Sequence, residues 1–205
     1  MIKYILAIIV LMLIVGLVTG GVHLYKVGQK NKKDLASYIN GEIKYNNNLG
    51  KTLVVYYSLS GNTESIAQNI AQKTNADVFK IETKEQIKQN PSFYLKIKKQ
   101  LSEKNYPKIN ADMPDFANYD TIFVGFPVWW YTIATPVLSF LQQADFAGKK
   151  VVPFSTQGSN YGTSFTDFKT NAKNAQISEG QAFNNLDKKY DKAVDNKINH
   201  WLNGL

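Results

Sequence analysis

The sequence predicts an α/β chain: a five-stranded parallel sheet, doubly wound with helices on both faces, preceded by an N-terminal transmembrane helix. Three observations predict it. From Lys51 onward, apolar β-branched and aromatic runs alternate with helical patterns, the signature of strands joined by crossover helices. The run Val54-Val55-Tyr56-Tyr57 passes through the small polar cluster Ser58-Leu59-Ser60-Gly61-Asn62-Thr63 straight into Ile66, Ala67, Ile70 and Ala71 at helical spacing. The 22 residues from Tyr4 to Tyr25 hold no Lys, Asp or Glu, and as a helix they would span roughly 33 Å, about the thickness of a bilayer core.

Taken in order, residues 1–25 read as a transmembrane anchor or a signal segment. The length of the apolar run and the poor small-residue site Val18-Thr19-Gly20 favour the anchor over a cleaved signal peptide. Lys3 precedes the run and Lys26, Lys30, Lys32 and Lys33 follow it, so the positive-inside rule gives a single-pass protein of the cell membrane with its domain in the cytoplasm; an exported domain is the alternative. Residues 26–50 are polar, with Asn46-Asn47-Asn48, and read as a linker carrying a marginal helix around Asp34 to Ile39.

Residues 51–205 form the domain. Its strands are expected at 52–57, 76–81, 121–126, 150–154 and 175–178. Its helices are expected at 63–73, within the lysine-rich stretch 84–108, from Pro136, at 166–172 and at 186–202. In the lysine-rich stretch Pro91 suits the first helical turn, and Phe93, Leu95, Ile97 and Leu101 supply the apolar residues. Thr135 is the expected cap of the helix that Pro136 opens. Tyr190, Val194, Ile198 and Trp201 share one face of the last helix.

Composition excludes several classes of function. With no cysteine, the chain has no disulfide framework, no iron–sulfur cluster and no cysteine-anchored lipid. Only His23 and His200 occur, which argues against a histidine-rich metal site. The net charge is +8 and every basic residue is Lys, so the bidentate Arg contacts of nucleic-acid readers are missing.

Three loops follow strand ends, where open α/β sheets bind ligands. The first, Ser58 to Thr63, offers hydroxyls and backbone N–H groups at the positive end of a helix dipole and contains no Lys, so neutral donors would hold a phosphomonoester without metal. The second contains Pro127, Val128, Trp129, Trp130 and Tyr131, a flat apolar surface suited to a planar ring. The third contains Thr156, Gln157, Gly158, Ser159, Tyr161 and Gly162, where small residues permit close backbone approach and Tyr161 is a second candidate ring cover.

Ser58-Leu59-Ser60-Gly61-Asn62-Thr63 resembles the [ST]-x-[ST]-G-x-T phosphate loop of the flavodoxin-like family, and Gly125-Phe126-Pro127-Val128-Trp129-Trp130 resembles its double-tryptophan second loop. The likeness extends over about residues 52–203. It implies the strand order 2-1-3-4-5, which brings the three loops to one crevice, and FMN as cofactor held by the loop residues just named. Gln157 departs from it, standing where the family often carries His. No residue offers itself as a general acid, and no metal is implied.

Three readings follow. The first is an FMN-dependent oxidoreductase taking electrons from NAD(P)H or a reductase, with a quinone from the bilayer as acceptor. The second is a tethered electron carrier. The third, from another class, is a flavin-free tethered interaction domain. Mobile carriers of this family are generally acidic, whereas residues 51–205 hold 18 Lys against 14 Asp and Glu, a net +4. Within 84–108 the balance is 7 Lys against 2 Glu, a solvated helix face or a surface for anionic lipid or an acidic partner.

Overall fold

A strand that is apolar at every position needs cover on both faces, and the computed structural model, which describes residues 2–110, 112–184 and 188–205, supplies it. The chain begins with a long helix, α1 (Ile2–Leu35), then β1 (Thr52–Tyr56), α2 (Asn62–Thr74), β2 (Asp77–Lys80) and β3 (Glu82–Thr83). Next come α3 (Phe93–Glu103), β4 (Ile109–Asn110), β5 (Thr121–Trp129), β6 (Thr132–Ile133) and α4 (Thr135–Gln143). The chain closes with β7 (Lys150–Thr156), α5 (Ser164–Asn171), β8 (Gln176–Ile177), β9 (Gln181–Phe183) and α6 (Asp191–Asn203). Leu186, the expected start of the last helix, lies outside the described residues.

The sheet runs β2-β1-β5-β7-β8 with all neighbours parallel, which is the expected order 2-1-3-4-5. Alternation along the strands sorts the core. Leu53, Val55, Ile122, Val124 and Phe126 pack on the face covered by α3, α4 and α5; Val54, Tyr56, Phe123, Val152 and Phe154 pack beneath α2 and α6.

Four local features differ from the expectation. The fifth strand is split into β8 and β9, both parallel to β7. The break lies opposite Pro153, which has no N–H to give an edge strand. Thr135 is the first residue of α4 rather than its cap; its hydroxyl donates to Gln100 Oε1 at 2.8 Å, and Ala134 holds the cap position. Pro91 precedes α3 instead of lying in its first turn. Within α3, Phe93 and Ile97 are buried four residues apart, which turns Leu95 to the outside, where it is 69% exposed.

The polar stretch before the domain is tied to α6 by asparagine side chains. Asn196 Oδ1 accepts from the Ile43 N–H at 2.9 Å, and Asn199 Nδ2 donates to the Ile43 carbonyl at 2.6 Å. Asn203 Nδ2 donates to the Lys44 carbonyl at 2.9 Å, and Leu35 and Leu49 are buried against the same layer. The helix holding the apolar run is long and apolar enough to cross a membrane by length and composition, and the apolar run is exposed throughout.

Candidate functional site

The C-terminal ends of β1, β5 and β7 lie side by side, so the loops that leave them share one edge of the sheet. The first loop turns tightly after Tyr57. The Gly61 N–H donates to Ser58 Oγ at 3.1 Å, and Gly61, at φ 90°, caps α2 in the left-handed region that glycine enters without strain. A glycine cap has no side chain to satisfy the helix start. The N–H groups of Asn62, Thr63 and Glu64 have no carbonyl one turn back, and they point into the positive end of the helix dipole. Ser60, Gly61 and Asn62 are exposed there, whereas Leu59 is half-buried against the core.

Thr63 does something different from its neighbours. It is buried, and its hydroxyl is 2.8 Å from that of Thr156 at the end of β7, so the pair pins α2 to the sheet. Glu64 would oppose an anion at this helix end, but its charge is engaged elsewhere. Its carboxylate accepts from Tyr56 OH at 2.7 Å and from Lys80 Nζ at 3.1 Å, and those two contacts hold its pKa below the usual carboxylate range. Burial pushes the Tyr57 hydroxyl up to about 12, still further above physiological pH than a free phenol.

The second loop is a hairpin. Val128 pairs with Ile133 and Trp129 with Thr132, leaving Trp130 and Tyr131 as a two-residue turn with φ of 50° and 62°. Positive φ at both positions is the twist a tight hairpin wants, yet it is normally supplied by Asn-Gly; bulky aromatics there carry backbone strain. The adjacent tryptophans divide between core and surface. Trp129 is packed edge-on between Tyr57 and Phe93, with ring centroids at 5.7 and 5.1 Å, so its side chain belongs to the core. Trp130 is 43% exposed, and its Nε1 donates to the Tyr94 carbonyl at 2.8 Å. Replacing Trp130-Tyr131 by Asn-Gly should stabilise the unliganded protein by about 1 kcal/mol, by removing the strain. Denaturant unfolding measures it, and a loss of stability would show that the aromatic pair holds the hairpin.

The third loop is sewn to this hairpin. The Thr163 N–H donates to the Tyr131 carbonyl at 2.8 Å, and Asp167 Oδ2 accepts from the hydroxyls of both Thr132 and Thr163. Gly162, at φ 55°, sits against the Tyr131 carbonyl, where a Cβ would collide with the oxygen. Gln157 Oε1 accepts from Ser155 Oγ at 2.9 Å, and its Nε2 is buried with no hydrogen-bond partner among the described residues. An unpaired buried donor is costly unless something completes it.

Between the second and third loops lies a cleft of about 420 Å³ lined by Val128, Trp130, Tyr131, Gln157, Gly158 and Ser159, with Tyr94 and Asn160. Ser58 and Leu59 border a neighbouring groove of about 500 Å³ that runs past Lys80 and Ile87. Larger clefts exist, of about 560 Å³ between α2 and α6 and about 660 Å³ beside α3, but they lie away from the strand ends. Pro127 lies beside Thr156 in the sheet, and its carbonyl accepts from the Ala134 N–H at 3.1 Å. Tyr161 stands on the rim, 45% exposed and edge-on to Phe165. No group of His, Cys, Asp or Glu able to hold a metal occurs among the described residues.

Sequence reasoning did not find Tyr94, Asp167 or Thr163. The signal for Tyr94 was an aromatic residue off the apolar stripe of α3. Asp167 and Thr163 gave none, because their pairing depends on where α5 lands.

Residues 51–204 match the family model described as Flavodoxin. The solved flavoprotein of Lactobacillus acidophilus NCFM in complex with FMN is similar, with a TM-score of 0.60 at 26% identity over 65% of this chain and 93% of that one. A curated relative from Cupriavidus metallidurans, named NAD(P)H dehydrogenase (quinone), is 30% identical over 101 residues, 47% of each chain. One of the same name from Rhodopseudomonas palustris is 31% identical over 96 residues, again 47% of each. The chain thus spans about half the length of the curated relatives it matches.

Proposed function

Because the chain belongs to the flavodoxin family, we propose that it binds FMN in the crevice formed by its three loops and works as a membrane-tethered FMN-dependent oxidoreductase. The observation that carries this reading is a set of three unmet demands at one sheet edge: a helix start whose glycine cap gives no side-chain hydrogen bond, a strained aromatic turn and an unpaired amide donor. The residues fit the cofactor. Ser58, Ser60 and Asn62, with the first N–H groups of α2, suit the phosphate; Trp130 and Tyr131 suit a ring face; Gln157, Gly158 and Ser159 suit its polar edge. FMN supplies the redox chemistry when bound, and the protein supplies position and electrostatics.

This chain's own part is to hold and to shield. The loops at 58–63, 127–132 and 157–163 contain no His, Cys, Lys, Asp or Glu, so none of these groups moves a proton there. Thr63 and Thr156 fix the phosphate end against the ring end, and Asp167 fixes the hairpin against the third loop. α1 tethers the domain with its lysine-rich end in the cytoplasm, beside the pool of lipid-soluble quinones.

The names of the curated relatives support NAD(P)H as donor and a quinone as acceptor. The test is anaerobic mixing of the FMN-loaded protein with NADPH and, separately, NADH. Bleaching of the flavin band by either, with recovery on adding a quinone, is the expected result. Bleaching only through an added flavodoxin reductase would make the protein a tethered carrier and end the enzyme reading. The Asn-Gly variant of the hairpin should bind FMN more weakly than the native chain.

A further inference from the structure

Among the described residues outside the apolar run of α1, seven large apolar side chains are exposed; of these Tyr94, Trp130 and Tyr131 line the crevice, Tyr161 follows the third loop's Asn160 on its rim, and Leu95 is next to Tyr94 on α3. FMN would cover the cleft faces of Trp130 and Tyr131. It does not account for Leu95, 69% exposed on α3, or Tyr161 on the rim, because neither lines the cleft. Lysines flank them. Lys98 lies one turn on from Tyr94 with its Nζ 5.6 Å from the Trp130 ring centroid, and Lys99 lies one turn on from Leu95. Aromatic and leucine tips ringed by ammonium groups are the composition of a surface that sits in a bilayer interface.

The root of α1 lies at the same end of the sheet. Asp34 Oδ2 is 2.6 Å from Lys197 Nζ, which also donates to the Ala182 carbonyl in β9 at 3.0 Å. Ala182 is in register with Ser155, one residue from the crevice end of β7. A span rooted there keeps the bilayer within reach of the crevice mouth, so a few shallow contacts suffice to seat it.

We propose that the mouth of the crevice is a membrane-docking surface, in which Tyr94, Leu95, Trp130, Tyr131 and Tyr161 enter the interface of an anionic bilayer and the lysines of α3 meet its headgroups. The inference rests on the tethered reading above and adds the orientation: the crevice opens onto lipid, and a lipid-soluble substrate enters without crossing water. Seating is reversible, because few side chains insert. Charge selects the occupant, since Lys96, Lys98 and Lys99 against the single Glu103 on α3 match the anionic inner leaflet that the tether supplies.

The chain has no cysteine, so single cysteines can be labelled without other changes. Leu95→Cys and, as a control on edge strand β2, Val78→Cys are each introduced into the full chain, spin-labelled, loaded with FMN and reconstituted into vesicles. The vesicles are phosphatidylcholine alone or phosphatidylcholine with phosphatidylglycerol. In anionic vesicles the ratio of oxygen to nickel-chelate accessibility at Leu95 should exceed that at Val78 several-fold. High salt or neutral lipid should reduce that excess. A Leu95 label as open to the nickel chelate as the Val78 label, in protein that floats with the vesicles, overturns the docking surface and leaves the tether standing. Failure to float overturns both. Equal shelter in neutral and anionic vesicles overturns the role given to the lysines. Immobilisation of the label that needs no lipid and rises with protein concentration would assign the surface to a second copy of the chain.

Discussion

Ser60→Asp lowers FMN affinity by at least about tenfold and leaves riboflavin binding nearly unchanged. Ser60 is exposed at the turn before α2, beside the N–H groups that the glycine cap leaves open. In the proposed site a carboxylate there would face the phosphate of FMN. At ~6 Å and an effective dielectric near ~40, one pair of like charges costs about 1.4 kcal/mol, a factor of about ten, and a phosphomonoester carries more than one charge at neutral pH. Riboflavin has the same ring and no phosphate, so it isolates the electrostatic effect. Flavin titrations followed by fluorescence measure both ligands. Equal loss of FMN and riboflavin would mean that the substitution damaged the fold or that the phosphate binds elsewhere. Lys80 does not rescue the variant, because it is already engaged by Glu64 at 3.1 Å.

Gly162→Ala destabilises the protein by about 2–3 kcal/mol, which lowers Tm by roughly 5–10 °C for a chain of this size. Two effects add. The residue is held at φ 55°, which costs a side-chain-bearing residue about 1–2 kcal/mol. The new Cβ also meets the backbone oxygen of Tyr131, which cannot swing away as a side chain can. The third loop must then lift from the hairpin, and the bond from the Thr163 N–H to that same oxygen is stretched. FMN should protect the variant less than the native chain, because both walls of the cleft move. Gly158→Ala is the control: nothing lies within 4 Å of the added Cβ and its φ is not positive, so Tm should stay within a degree or two. Equal melting of the two variants would show that the hairpin and the third loop are not held together as described.

Both results turn on backbone geometry that a sequence does not display, and the same limit explains the tryptophans. Trp129 ends β5 and turns inward between Tyr57 and Phe93, whereas Trp130, the first residue of the hairpin turn at φ 50°, is left at the surface. On α3 the choice fell against Leu95, because Phe93 and Ile97 lie one turn apart on the inner face and Leu95 lies nearly opposite them.

By itself the sequence determined the doubly wound sheet and, through its likeness to the flavodoxin-like family, the strand order that sets the ends of β1, β5 and β7 side by side. Continuous burial on both faces demands unbroken apolar runs, and a helix start suited to an anion favours small neutral donors; both leave marks that can be read one residue after another. Only the tertiary structure decided what holds the site in shape: the Thr63–Thr156 pair, the clamp of Asp167 on Thr132 and Thr163, and the asparagines of α6 gripping residues 43–46. These are single polar contacts between segments up to 159 residues apart. They have no period and no composition, because what selects each residue is the position of its partner after the chain has folded.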